Sequence, residues 1–146
     1  MGSPVRALDA DAIVLDAQPL SAYIGGEPGA RAVDRLLTRA ALGGIGLSIT
    51  AVNAGEVLIA AERKGGPPAS HETLDLIQDL PIDIVPVDLE LAARAAWFKL
   101  RGGISYADCF AAALAHRDGV PVLTGDPEFE RVADRVEVIW LHELED

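Results

Sequence analysis

The chain carries a single cysteine, Cys109, so no disulfide can form within it and no cysteine-based zinc site can be built. Lysine is almost as scarce. Lys64 and Lys99 are the only two, against ten arginines, and the formal net charge is −11. That deficit of positive charge counts against a broad phosphate-binding surface, because such surfaces are usually basic. Aromatic residues make up 5% of the sequence. No apolar run reaches the roughly 20 residues needed to span a bilayer. The start, MGSPVRALDAD, is acidic and has no apolar signal-peptide core, so the chain reads as a cytoplasmic protein away from membranes. Residues 1–12 read as an extension, with Met1-Gly2-Ser3 resembling a cloning remnant, and 13–146 as one domain.

The 146 residues are half apolar, with mean hydropathy +0.24, which is enough for a full core without cross-links. Short runs of Val, Ile and Leu alternate with helical patterns. Strands are expected over 13–16, 45–49, 82–87, 120–124 and 136–141. Helices are expected over 28–42, 50–64, 70–80, 88–101 and 105–117, with shorter turns at 19–24 and 127–132. Gly65-Gly66-Pro67-Pro68 reads as a loop, and Ser70 as the N-cap of the helix after it. Strands of continuous apolar character separated by helices predict an α/β fold, a three-layer α/β/α sandwich around a parallel sheet of four to five strands.

Four acidic residues sit where these elements begin or end. Asp16 closes IVLD, Glu56 follows LSITAVNAGE, Asp108 ends ISYAD and Asp126 ends VPVLTGD. In a parallel sheet, ligands bind beyond the carboxyl ends of the strands, so these four would converge at one rim. Clustered carboxylates repel and raise one another's pKa unless a cation neutralises them. Oxygen-only ligands suit Mg²⁺ or Mn²⁺.

Each acid also has a purely structural reading. Asp126-Pro127 is a cap followed by proline at the first helical position, and Ser105 to Asp108 fits a capping box. Asp16 could cap the turn near Pro19, and Glu56 could face solvent. Asn53, one helical turn before Glu56, could orient that acid or touch substrate. Thr124 could hold a water or a phosphate. Arg31, Arg35 and Arg39 form a stripe that reads as a solvated face paired with Glu27 and Asp34.

Taken in order, LDAQPLSAY, TAVNAGEVLIAA, ISYADCFAAALA and PVLTGDPEF resemble the motifs of PIN-domain nucleases, with the nearest likeness to VapC-type toxins of bacterial toxin–antitoxin pairs. The resemblance runs from about Ile13 to Leu141. It implies that Asp16, Glu56, Asp108 and Asp126 are catalytic and bind Mg²⁺ or Mn²⁺, with Asn53 and Thr124 toward the substrate. It implies hydrolysis of RNA to 3′-hydroxyl and 5′-phosphate ends, a cognate antitoxin as partner, and a homodimer. One departure stands out: the Ser or Thr and the Ser or Asn that often follow the first acid are replaced by Ala17 and Gln18. Two other classes remain open. One is a PIN-like module that binds a partner without cutting. The other is a phosphotransfer or receiver domain, disfavoured because neither Lys64 nor Lys99 follows a strand.

Overall fold

A computed structural model describes residues 9–144. Five short strands form one sheet: β1 (Ala12–Leu15), β2 (Gly46–Thr50), β3 (Asp83–Val85), β4 (Val122–Thr124) and β5 (Val138–Trp140). Their order is β3-β2-β1-β4-β5, and every neighbouring pair is parallel. Five helices connect them: α1 (Ala17–Gly25), α2 (Ala30–Ala41), α3 (Ala51–Asp79), α4 (Leu89–Gly102) and α5 (Tyr106–Asp118). Two 3₁₀ turns follow, Pro127–Val132 and Leu141–Glu143. Most of the expected extension lies outside the described residues, and β1 takes up its last residue, Ala12. Among the described residues no helix is long and apolar enough to cross a membrane.

The three layers follow from strand alternation. Ile13 and Leu15 point to one face of β1 and pack with Leu20, Leu36, Leu37, Val57 and Ile77 of α1, α2 and α3. Val14 points to the other face and packs with Leu91 and Phe98 of α4 and Phe110 and Leu114 of α5. Both faces are therefore covered, as a parallel sheet requires. Residues Cys109 to Ala115 of α5 are all buried. Small alanines let this helix lie close to the central strands.

One expected loop is absent. Residues 51–79 are helical apart from a kink at Gly66, whose φ of 75° and ψ of −176° no helix contains. Pro67 and Pro68 follow the kink as the first turn of a new helical segment, where a missing N–H costs nothing. The chain thus changes direction at one glycine, and Ser70 lies inside the helix instead of capping it. Strands β3, β4 and β5 are each three residues long, shorter than expected.

The connections set the position of the site. From β1 the chain steps outward to β2 and β3, then returns across the sheet to β4 on the other side of β1. The order reverses between β1 and β4, and in such sheets a crevice opens at that point beyond the strand ends. Asp16 and Thr124 stand there side by side, next to the paired residues Leu15 and Leu123. The Asp16 N–H donates to Leu123 O at 3.0 Å.

Candidate metal centre

Asp16 immediately precedes α1 but makes no side-chain cap bond, so the expected capping role is not met. Its carboxylate turns toward β4, where the Thr124 hydroxyl donates to Oδ2 at 2.8 Å. The same hydroxyl accepts from the Asp126 N–H at 3.0 Å. One threonine therefore fixes two of the four acids. Asp16 is 3% exposed, and its Oδ1 is buried with no hydrogen-bond partner.

Glu56 projects from the first turns of α3. Thr50 caps that helix, accepting from the Asn53 N–H at 3.0 Å, while its own hydroxyl donates to Asn53 Oδ1 at 2.5 Å. With its oxygen held there, the Asn53 amide donates to Glu56 Oε1 at 3.1 Å and to Ala107 O at 3.0 Å. Asn53 thereby ties Glu56 to the turn that carries Asp108. Asn53, Thr50 and Thr124 are all 0% exposed. In this structure each of the two expected substrate-facing residues is hydrogen-bonded to a carboxylate, Asn53 to Glu56 and Thr124 to Asp16.

Asp108 lies in the first turn of α5, its N–H donating to Ser105 Oγ at 3.2 Å. Asp126 caps the 3₁₀ turn, accepting from the Glu128 N–H at 2.9 Å. The Asp126 cap is as expected, whereas only the Ser105 half of the expected capping box forms, and neither arrangement prevents the carboxylates from meeting the others. One carboxylate oxygen each from Asp16, Glu56 and Asp108 lie within 4.8 Å of one another. Asp108, Asp126 and Glu128 form a second such group. Glu128 had no signal in the sequence, being an exposed acid among other acids. It also accepts from the Ser105 N–H at 3.2 Å, joining the 3₁₀ turn to α5.

Among the described residues no Lys or Arg pairs with any of these acids. Burial accordingly pushes the Asp16 carboxyl up to about 6, against the pull of the Thr124 hydrogen bond and with Glu56 and Asp126 adding repulsion. Asp108 is pushed up to about 8, first by burial, then by the charge of Asp16 and by Asp126. Converging carboxylates, a buried oxygen without a partner and no cation of the chain's own are what a divalent-cation site presents. The donor set, oxygen only, fits Mg²⁺ or Mn²⁺.

The Arg stripe of α2 differs from expectation in one respect. Glu27 pairs with Lys64 of α3.

Residues 13–135 match the family model for the PIN domain. The chain belongs to the PIN domain family. Solved structures share the architecture at low sequence identity. VapC20 of Mycobacterium tuberculosis, described as a sarcin-ricin loop cleaving toxin, superposes with a TM-score of 0.69 at 19% identity, over 87% of this chain and 98% of that one. FitAcB of Neisseria gonorrhoeae gives 0.67 at 22% identity, over 90% and 99%. VapBC2 of Rickettsia felis, solved on a DNA fragment of its promoter, gives 0.68 at 14% identity, over 87% and 98%. No curated protein sequence matches this PIN domain. The five-stranded parallel sheet with helices on both faces is the PIN fold.

Proposed function

We propose that this PIN domain is a metal-dependent endoribonuclease, the toxin of a toxin–antitoxin pair. The observation that carries the reading is the group of buried Asp16 and Asp108 with half-buried Glu56, and Asp16 Oδ1 left without a partner. These three residues would hold Mg²⁺ or Mn²⁺, with Asp126 bordering the site. The bound ion would lower the pKa of a water to generate the nucleophile and neutralise charge on the phosphate.

The remaining work falls to the chain. Thr124 and Asn53 fix Asp16 and Glu56 before any ligand arrives, so little reorganisation accompanies loading. Asp108, whose carboxyl holds its proton near neutrality, must release it when a cation arrives. Until the acids are neutralised, they repel a phosphodiester.

The partners we propose are an RNA strand at this rim and an antitoxin protein, the second because a solved structural neighbour is a toxin–antitoxin complex. Leu89, Trp97 and Leu100 on α4 are exposed at 84%, 38% and 82% and lie at helical spacing along one side. This stripe supports a homodimer, working in the cytoplasm.

The test is cleavage of total RNA by the purified protein with Mg²⁺ or Mn²⁺, with 5′ ends mapped. Products should carry 5′-phosphates, and EDTA or Asp108→Asn should stop their formation. Cleavage surviving in EDTA would rule the mechanism out. Tight Mn²⁺ binding without cleavage of any RNA would favour the partner-binding module.

A further inference from the structure

Beside the acids is a feature that the metal site does not use. A cavity of about 370 Å³ is lined by Gln18, Gly125, His142 and the apolar Pro28, Leu141 and Leu144, with Gly29 at its wall. Gln18 is two residues past Asp16, and Gly125 immediately precedes Asp126. The cavity is therefore lined by chain neighbours of the two acids, near the point where the strand order reverses.

One polar side chain lining it is uncommitted. The Gln18 amide makes no hydrogen bond to any described residue, although it offers two donors and an acceptor with two lone pairs. It is exposed and lies flat against the backbone at Gly125. A Cβ added there would come within 2.4 Å of Gln18 Oε1 and 3.1 Å of Nε2. Only glycine lets the amide occupy that place. The apolar side is equally shaped. Gly29, at φ 97°, lets the loop press on Leu141, whose Cδ2 would lie 2.6 Å from an added Cβ. His142 is exposed at the other end, with its ring 6.1 Å from that of Trp140. Apolar walls, one free amide and one exposed ring describe a pocket for a flat heterocycle with a hydrogen-bonding edge.

We propose that this cavity receives the nucleobase next to the scissile phosphate, and that Gln18 reads its edge, with adenine preferred. This rests on the nuclease reading of the adjacent acids. A base attached to a phosphate bound at a metal held by Asp16, Glu56 and Asp108 has to settle close to that site, and the cavity is lined by chain neighbours of Asp16 and Asp126. A carboxamide that can donate and accept at once pairs with adenine through N6 and N7. His142 supplies a ring for stacking, and Pro28 and Leu141 cover the base's apolar surface. Gln18 itself lines this cavity.

The experiment uses short RNA substrates identical except for the base on either side of the cut, cleaved by the wild-type chain, Gln18→Ala and Gln18→Glu. The wild type should prefer adenine in kcat/KM by about tenfold at one of the two positions. Gln18→Ala should flatten that preference, and Gln18→Glu should move it toward cytosine, whose N4 donates. Gly125→Ala, which drives the amide out of place, should behave as Gln18→Ala does. Adding Gln18→Ala to it should cost nothing further. Adenosine, which has no phosphate for the acids to repel, titrated without metal should shift the His142 ring resonances of the wild type and not those of Gln18→Ala, a readout independent of cleavage. Cleavage without base preference, or a preference untouched by Gln18→Ala, overturns the subsite and leaves the nuclease reading standing. Failure of the wild type to cut any RNA overturns both.

Discussion

Replacing Asp16 by Asn should stabilise the metal-free protein while destroying its response to metal. Burial raises the Asp16 carboxyl from 3.8 to about 6. A folded-state pKa above the unfolded one means that stability is fully present below about pH 3.8 and lost as pH rises through about 6. At 1.36 kcal/mol per unit the whole loss is about 3 kcal/mol, of which roughly half falls between pH 5 and pH 8. Asparagine carries no charge to desolvate and still offers an oxygen to Thr124. Its amide group can take the place of the orphaned Oδ1 in a side chain that lies beside Glu56 and Asp108. Urea unfolding in EDTA should therefore show Asp16→Asn more stable than wild type at pH 8 by about 1–3 kcal/mol, with the gap shrinking toward pH 5. Adding Mn²⁺ at 100 times its dissociation constant should stabilise the wild type by about 2.7 kcal/mol and the variant hardly at all. A variant less stable than wild type at pH 8, or a gap that does not change with pH, would refute the claim that Asp16 is a buried carboxylate lacking compensation.

Three further outcomes follow from the geometry. Asn53→Ala leaves Thr50 and Ala107 O without their partner and frees Glu56, so it should cost about 2–3 kcal/mol in denaturant unfolding and weaken Mn²⁺ binding measured by calorimetry. Gly29→Ala combines a left-handed φ of 97° with a 2.6 Å approach to Leu141 and should lower stability by about 2–4 kcal/mol, visible as a drop in melting temperature. Leu100→Asp, at an exposed position, should leave the melting temperature of the monomer nearly unchanged yet convert a dimer to a monomer in sedimentation; a dimer that persists would place the two-fold contact elsewhere.

The fold class and the four acids were legible in the sequence for a physical reason. Parallel strands buried on both faces leave apolar runs, and a residue that ends such a run is located by it, as Asp16 and Asp126 are. Local capping chemistry was equally legible at Ser105 and Asp126, because a cap depends on residues three or fewer apart. What could not be read was burial of polar groups. Asn53 and Thr124 stood out as polar residues beside acids, but nothing in their neighbours said that they face inward, and Thr50, which holds Asn53, drew no attention. Glu128 was hidden among exposed acids. The Gly-Gly-Pro-Pro stretch misled because its breakers are usually spread over a loop. Here Gly66 alone makes the turn, and the prolines after it start the next helical segment.

The central strand β1 is flanked by β2 and β4, and its partner β4 lies more than a hundred residues further along the chain. Asp16 gains its hydroxyl partner from Thr124, and its last neighbour from Asp126, only when that distant strand docks. A ribosome has thus translated most of the chain before Asp16, the first of the four clustered acids, can be held in place. Any product ending before Val122 lacks the strand that would hold it. On the proposed function, cutting power would then arrive late and all at once in the life of each molecule, leaving a translation-long interval in which the growing chain cannot cut.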